Sequence, residues 1–326
     1  MKRRSFLSAS LGGMAAAASG CGASGARLHS GAALAFGTTI TVAVLHEDAQ
    51  LARAAIDAAL AQAAHVDRLM SIHDPASQLW ALNRDGALAQ PHADLLAVLR
   101  QAQALSALTR GAFDITVQPL WLAFRQAAER AGLPSAAQQA QGRARVGWKR
   151  VVVEDARIRL IGKNVAVTLN GLAQGYAADL ALAAVRTHGI EHALLDTGEF
   201  AAHGRNQAQQ AWTIGVADPR DSEAMAGVVG LDGRALATSG DYAAAFTADF
   251  VHHHIFDPAT GDSPTELASV SVVAPSAMLA DGLSTAFMVM GAKKSHALAA
   301  TLAGVDLMSI NKRGVVWRSP GFPLAL

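Results

Sequence analysis

Asp281 and Thr285 stand four residues apart in APSAMLADGLSTAFMVMG, a segment whose spacing predicts a helix over 276–290. A carboxylate and a hydroxyl then project from one helix face, a turn apart. That pair suits a hard cation such as Mg²⁺, which takes few protein oxygens and leaves positions for water or phosphate. A cap or a solvated face uses the same spacing. A second chemistry-bearing run is HHHIFDPATG, from His252 to Gly261. In extended chain His252 and His254 point one way and His253 the other. Two imidazoles on one face could take zinc, yet no Cys or further His stands nearby at zinc-site spacing. One histidine acting as a general base beside a phosphate is the other reading, because its pKa lies near neutrality. DPATG then reads as a turn, with Asp257 capping it and Gly261 closing it.

Two more stretches offer ligand contacts. In TLNGLAQGYAADLALAAV (Thr168 to Val185) a strand meets a helix through Gly171 and Gly175. Glycines allow close approach of backbone to ligand, and a helix start presents free N–H groups to a phosphate. The stretch is neither the dinucleotide fingerprint nor a P-loop, since no Gly-Lys-Ser/Thr follows; a tight strand-to-helix turn is the plainer account. TSGDY (Thr238 to Tyr242), with Ser239 and Asp241, reads equally as a polar active-site turn or as a loop. There is no Gly-x-Ser-x-Gly nucleophile elbow.

The elements that must position these residues follow from periodicity and caps. A strand is predicted over 36–45. A long helix to Met70 follows, with Asp48 as N-cap and Leu51, Ala55, Ala58, Ala59, Val66 and Leu69 on its apolar face. Residues 71–86 read as a loop before a helix over 93–108. Pro119 is expected to interrupt any regular element, and 133–147 to be a surface excursion. Strands are expected at 149–154, 157–161 and 164–169, then a helix over 172–188. Further strands fall at 192–196, 212–217, 226–231 and 268–274. Helices over 276–290 and 294–303 precede a strand pair within 305–317. The sections 164–196 and 268–310 share a strand, helix, strand rhythm that suggests two related subdomains, without a convincing sequence repeat. Short hairpin-like strands mixed with long helices predict an α+β fold of largely antiparallel strands with packed helices, not a doubly wound parallel sheet.

The whole chain sets the limits. Its 326 residues, 51% hydrophobic, can bury a sizeable core as one large domain or two joined subdomains. Lys2, Arg3 and Arg4 precede a weakly apolar run and small residues, so residues 1–25 read as an export signal of twin-arginine type. Cys21 follows AASG, where a lipoprotein signal places its acylated cysteine, with Ala18 where leucine is usual. The domain proper is expected over 30–326, in the periplasm, held to the inner membrane if Cys21 is acylated. No other stretch reaches eighteen uninterrupted apolar residues. A single cysteine excludes an internal disulfide. Without the signal's three cations, Lys and Arg fall from 27 to 24 against 26 Asp and Glu, a net of −2. A near-neutral chain argues against nucleic acid as a partner.

Taken together and in order, AFGTT, MSIHDPASQLWALN, TRGAFDITVQPL, NGLAQGYAADLA, LATSGDYAAAF, HHHIFDPATG and ASVSVVAPSAMLADGLSTAFMVMG resemble the ApbE family of FAD:protein FMN transferases. The resemblance runs from Phe36 to Gly291. It implies Mg²⁺ and FAD, transfer of the FMN half of FAD to a Thr or Ser hydroxyl of an exported acceptor protein with a flavinylation motif, and release of AMP. It also implies a metal held by Asp281, Thr285 and the carbonyl of Ala173, and His254 as the base. Flavin contacts are implied for Phe36, His73, Ala112, Phe113, Asp114, Gln174 and Phe256, with Ser239 and Asp241 of the polar turn beside them. The chain departs from the family pattern at Phe36, where methionine is usual, and at His73, where a stacking aromatic ring is common. Glu199 and Phe200 replace a glycine and an acid. Two other activities use the same residues: hydrolysis of FAD to FMN and AMP, and non-enzymatic flavin binding by a lipoprotein.

Overall fold

The computed structural model describes residues 25–325, so the expected export signal and Cys21 lie outside the described residues. The first element is a hairpin of β1 (Arg27–Ala35) and β2 (Thr38–His46). Phe36 and Gly37 join the strands at φ 54° and 77°, the left-handed pair that matches strand twist in a two-residue hairpin loop. β1 is rich in Gly and Ala, and the expected strand covers only its partner. Next comes α1 (Ala49–Met70), capped as expected by Asp48, which accepts from the Gln50 and Leu51 amides.

Residues 71–86, expected as loop, contain α2 (Gln78–Asp85). Ser77 caps its start, Gly86 ends it at φ 70°, and Leu79 and Leu82 form a buried stripe too short to stand out as a period. Next are β3 (Ala87–Ala89) and α3 (Ala93–Leu108). Pro119 does not interrupt an element; it sits in the first turn of α4 (Gln118–Ala128), where its missing N–H is not needed. The expected surface excursion holds α5 (Ala136–Arg143), begun by a Ser135–Gln138 capping box. The expected strands β4 (Val151–Glu154) and β5 (Arg157–Leu160) form, and they pair antiparallel. Residues 164–169 form no strand. Instead the Asn83 side-chain amide brackets the Val167 backbone at 2.7 and 2.8 Å, replacing a ladder while Val165, Val167 and Leu169 stay buried.

α6 (Ala173–Thr187), β6 (Ala193–Asp196), β7 (Phe200–His203), β8 (Trp212–Ala217), β9 (Met225–Leu231), β10 (Ala235–Gly240) and β11 (Leu267–Ala274) follow. The chain closes with α7 (Ala277–Met290), α8 (Ala292–Ala299), β12 (Asp306–Asn311) and β13 (Val316–Arg318). An eight-stranded sheet orders β1-β2-β6-β7-β10-β11-β12-β13, with every pairing antiparallel. β1, β2, α1, α6, β6 and β7 form one half, and β10, β11, α7, α8, β12 and β13 the other. Each half runs strand, strand, helix, helix, strand, strand. The expected related pieces are therefore halves of one sheet, and each begins at a hairpin ahead of the expected section.

Both faces of the sheet are covered. Val270 and Val272 of β11 enter the main core with α6 and α7, while Val273 joins a second core with Trp212, Val229 and Phe322 under the β8–β9 hairpin. Side chains alternate along a strand, so a strand covered on both sides must be apolar throughout; all eight residues of β11 are buried. Segments between α1 and α6 add α2 to α5 and a small sheet, β3-β5-β4. Among the described residues no helix is long and apolar enough to cross a membrane.

Candidate active site

Carboxylates on α6 and α7 reach across to the first-turn amides of the other helix. Asp179 of α6 accepts from the Ala277 and Met278 amides at 2.8 and 3.0 Å, and Asp281 of α7 accepts from the Gly175 amide at 3.3 Å. Each thereby satisfies amides that a helix start leaves without partners. Gly175 makes this crossing possible. A Cβ there would overlap the Ala277 carbonyl and lie 2.7 Å from Met278 Cα.

Thr285 lies one turn beyond Asp281, as its spacing requires. Its hydroxyl is 3.3 Å from that of Ser239 on β10, which also bonds Ser284 at 2.7 Å. A Cβ at Gly171 would stand 3.0 Å from Thr285 Oγ1 and 3.4 Å from the Phe113 ring. Gly171 thus lets the loop before α6, Phe113 and α7 close around one hydroxyl. Ala173 opens α6 and is buried. Gln174 beside it donates to the Thr197 carbonyl at 2.8 Å, and the Thr197 hydroxyl donates back to the Gln174 carbonyl at 2.9 Å. The structure therefore gathers Ala173, Gln174, Ser239, Phe113, Asp281 and Thr285 at one junction.

The charge at this junction is one-sided. Burial, ahead of the neighbouring Asp179 charge, pushes the Asp281 carboxyl up to about 8. Burial likewise raises Asp179 and Asp196. Glu199 is raised well above its ordinary value by burial and then by Asp281. None of these four carboxyls is in an ion pair among the described residues. Buried carboxyls without a counter-charge are costly unless a cation joins them. Asp281 and the Thr285 hydroxyl one turn beyond it, with the Ser239 hydroxyl 3.3 Å from that of Thr285, are oxygen donors of the kind a hard divalent ion takes. In the sequence Glu199 stood out only as a departure from a pattern. The structure brings its carboxyl into the field of Asp281, with the Thr238 amide 3.3 Å away.

The three histidines have separate roles. His252 donates through Nδ1 to Asp262 at 2.8 Å. His253 is fully buried and donates through Nε2 to the Pro264 carbonyl at 3.2 Å. His254 Nδ1 is sealed from solvent without a hydrogen-bond partner, while the His254 amide donates to the Ala244 carbonyl at 3.0 Å. Burial, and secondarily His253, lowers its pKa to about 4, so the ring is neutral at neutral pH. Asp262 takes His252 Nδ1, and among the described residues the side chains that converge at metal-ligating distance are His65, His92 and Asp94 rather than this pair. The turn is as expected, with the Gly261 amide on the Asp257 carbonyl at 2.8 Å and Gly261 at φ 77°.

The remaining expected contacts come from several elements. Phe36 is half-buried at the hairpin tip, and His73 is exposed, its ring 6.2 Å from Trp121. Ala112 is half-buried on the Thr109 carbonyl. Phe256 is buried against Phe124, with ring centres 5.0 Å apart. Two carboxylates are occupied within the fold. Asp114 accepts from the Thr116 amide and hydroxyl and from the Trp148 amide, and burial still raises its pKa. Asp241 is fully buried, with Arg220 on both oxygens at 2.8 Å and Lys312 at 3.5 Å. Both anchor backbone and neighbouring segments.

A family model described as the ApbE family matches residues 36–308. The chain is 32% identical over 273 residues to the FAD:protein FMN transferase of Salmonella typhimurium, covering 78% of this chain and 77% of that one. Among solved structures, the ApbE protein of Thermotoga maritima matches with a TM-score of 0.80 at 28% identity, covering 90% of this chain and 97% of that one. The flavin transferase ApbE from Vibrio cholerae matches with a TM-score of 0.78 at 26% identity, covering 91% and 98%.

Proposed function

The chain belongs to the ApbE family, and from that premise we propose that it transfers the FMN half of FAD to a Thr or Ser hydroxyl of an exported acceptor protein and releases AMP. The observation that carries the chemistry is the uncompensated carboxyl cluster around Asp281, beside the Thr285 and Ser239 hydroxyls. Asp281, Thr285 and the Ala173 carbonyl would hold Mg²⁺, whose charge would offset that of the FAD diphosphate. His254, whose ring is neutral, takes the proton of the acceptor hydroxyl. That oxygen bonds to the FMN-side phosphorus as the bond from that phosphorus to the bridging oxygen breaks, and AMP leaves with the bridging oxygen. Phe36 at the hairpin tip and His73 beside Trp121 offer apolar and aromatic surface for the isoalloxazine. An export signal in residues 1–25 supports a periplasmic acceptor, and Cys21 a lipid anchor at the inner membrane.

The test incubates the protein with FAD, Mg²⁺ and a target bearing the acceptor motif, and reads covalent fluorescent flavin on the target. Transfer by the wild type, abolished by Asp281→Ala, is the expected outcome. An unlabelled target with free FMN and AMP accumulating would replace this reading with FAD hydrolysis. Binding without turnover, indifferent to His254→Ala, would make the protein a flavin carrier.

A further inference from the structure

Among the described residues one group of metal-capable side chains lies apart from the carboxyl junction. His65 of α1, His92 at the N-cap of α3 and Asp94 in its first turn bring one candidate ligand atom each within 4.8 Å of one another. We propose that these three side chains bind a divalent transition metal of the zinc type, stapling α1 to α3, with a fourth position left for water or an exogenous ligand. Two imidazoles and one carboxylate are a donor set used by zinc sites with three protein ligands. Nitrogen donors favour such ions over Mg²⁺, so this site and the all-oxygen junction select different metals.

The distances are close to those required. Asp94 Oδ2 is 2.8 Å from His65 Nε2 and 3.3 Å from His92 Nδ1. A tetrahedral ion with bonds of about 2.0–2.1 Å holds its donors roughly 3.3 Å apart. Binding displaces the proton that His65 Nε2 shares with Asp94 Oδ2, and it draws the His92 Nδ1 lone pair from the Asp94 amide, 3.2 Å away. The surroundings resemble the outer partners of a metal centre. The Tyr176 hydroxyl of α6 donates to Asp94 Oδ1 at 2.6 Å, fixing the carboxylate with Oδ2 toward the imidazoles. Gln78 holds the His92 amide at 2.8 Å. Burial disfavours the Asp94 anion, yet the hydrogen bonds from Tyr176 and His65 and the adjacent imidazoles outweigh it and keep the carboxyl below its ordinary pKa. His65 also lines a cavity of about 280 Å³ with Asp74 and Gln78, which gives water access to the open position.

The test is zinc titration of the full chain, stripped with chelator and kept in excess MgCl₂ so that hard-cation sites are filled, followed by calorimetry and equilibrium dialysis. We expect one Zn²⁺ per chain, a rise in Tm on binding, and retention of both in Asp281→Asn. His65→Gln should weaken binding at least tenfold, and Tyr176→Phe, which removes no ligand, about tenfold. Co²⁺ in place of Zn²⁺ should give the visible absorption of a tetrahedral site, lost in His65→Gln. Far-UV circular dichroism verifies that both variants fold; if His65→Gln does not, the Tyr176→Phe comparison decides. No bound Zn²⁺, or binding equal in wild type, His65→Gln and Tyr176→Phe, overturns the proposal. Loss of binding in Asp281→Asn alone would overturn it equally, by moving the ion to the carboxyl junction. Flavin transfer can succeed or fail without altering any of these readouts.

Discussion

His254 differs from its two neighbours because each of theirs already has a partner: Asp262 for His252 and the Pro264 carbonyl for His253. A buried imidazole nitrogen left without a hydrogen bond costs stability through its desolvation. Burial lowers both His253 and His254 to about 4, whereas an unfolded histidine titrates near 6.5. Between those values the unfolded chain takes up protons that the native chain refuses, so stability falls as pH drops from about 6.5 toward 4. Thermal melts across that window should show His254→Gln with a shallower pH slope than the wild type; an identical slope would contradict the buried neutral ring. The same variant should lose about 10²- to 10⁴-fold in transfer rate if the ring is the base. The histidines that sequence spacing offered to zinc belong to no such cluster among the described residues. The set that does converge, His65, His92 and Asp94, is separated along the chain by up to 29 positions.

At the scale of elements, the junction depends on how closely α6 and α7 approach. Asp179 and Asp281 cap one another's helix starts only because Gly175 presents no side chain to the Ala277 backbone. Gly175→Ala should lower stability by about 1–3 kcal/mol, the range for overpacking a close contact. It should also cut flavin transfer, because the methyl pushes α7, with Asp281 and Thr285, away from Ala173 of α6. Chemical denaturation and a transfer assay on the same sample check this, and unchanged values in both would refute the close-packed crossing. The sequence identified Gly175 as a point of close approach but not its partner, which is backbone one hundred positions away.

For the whole molecule, the notable bond is the ion pair far from any terminus. Arg220, in the connection between β8 and β9, clasps Asp241 at the end of β10, and Lys312 after β12 comes within 3.5 Å of it. One buried carboxylate thus ties the outer hairpin to both sides of the second half-sheet. Removing a partner from a buried pair leaves an uncompensated charge and costs about 3–5 kcal/mol. Arg220→Ala should fall at the lower end, because the guanidinium is a third exposed and Lys312 remains. Urea midpoints for Arg220→Ala, Asp241→Asn and the double variant test it. The double should be more stable than Arg220→Ala alone, and strict additivity would show that the pair is not coupled.

The sequence by itself determined the long helices and the metal-capable pair. Asp48, the 3.6-residue stripe of α1 and the four-residue spacing of Asp281 and Thr285 are local facts that hold in any fold containing those helices. It also contained the motifs that identify the family. It did not show β1, β7 or β10, where Ala and Gly give little pleat-facing pattern and strand character comes from neighbours across the ladder. Nor did it show that residues 164–169 would bond to Asn83 instead of a strand, that Asp241 would be consumed by Arg220, or that Glu199 would lie beside Asp281. Those outcomes depend on which side chains long-range packing brings together, and desolvation fixes the charge of a carboxyl only once its surroundings are in place.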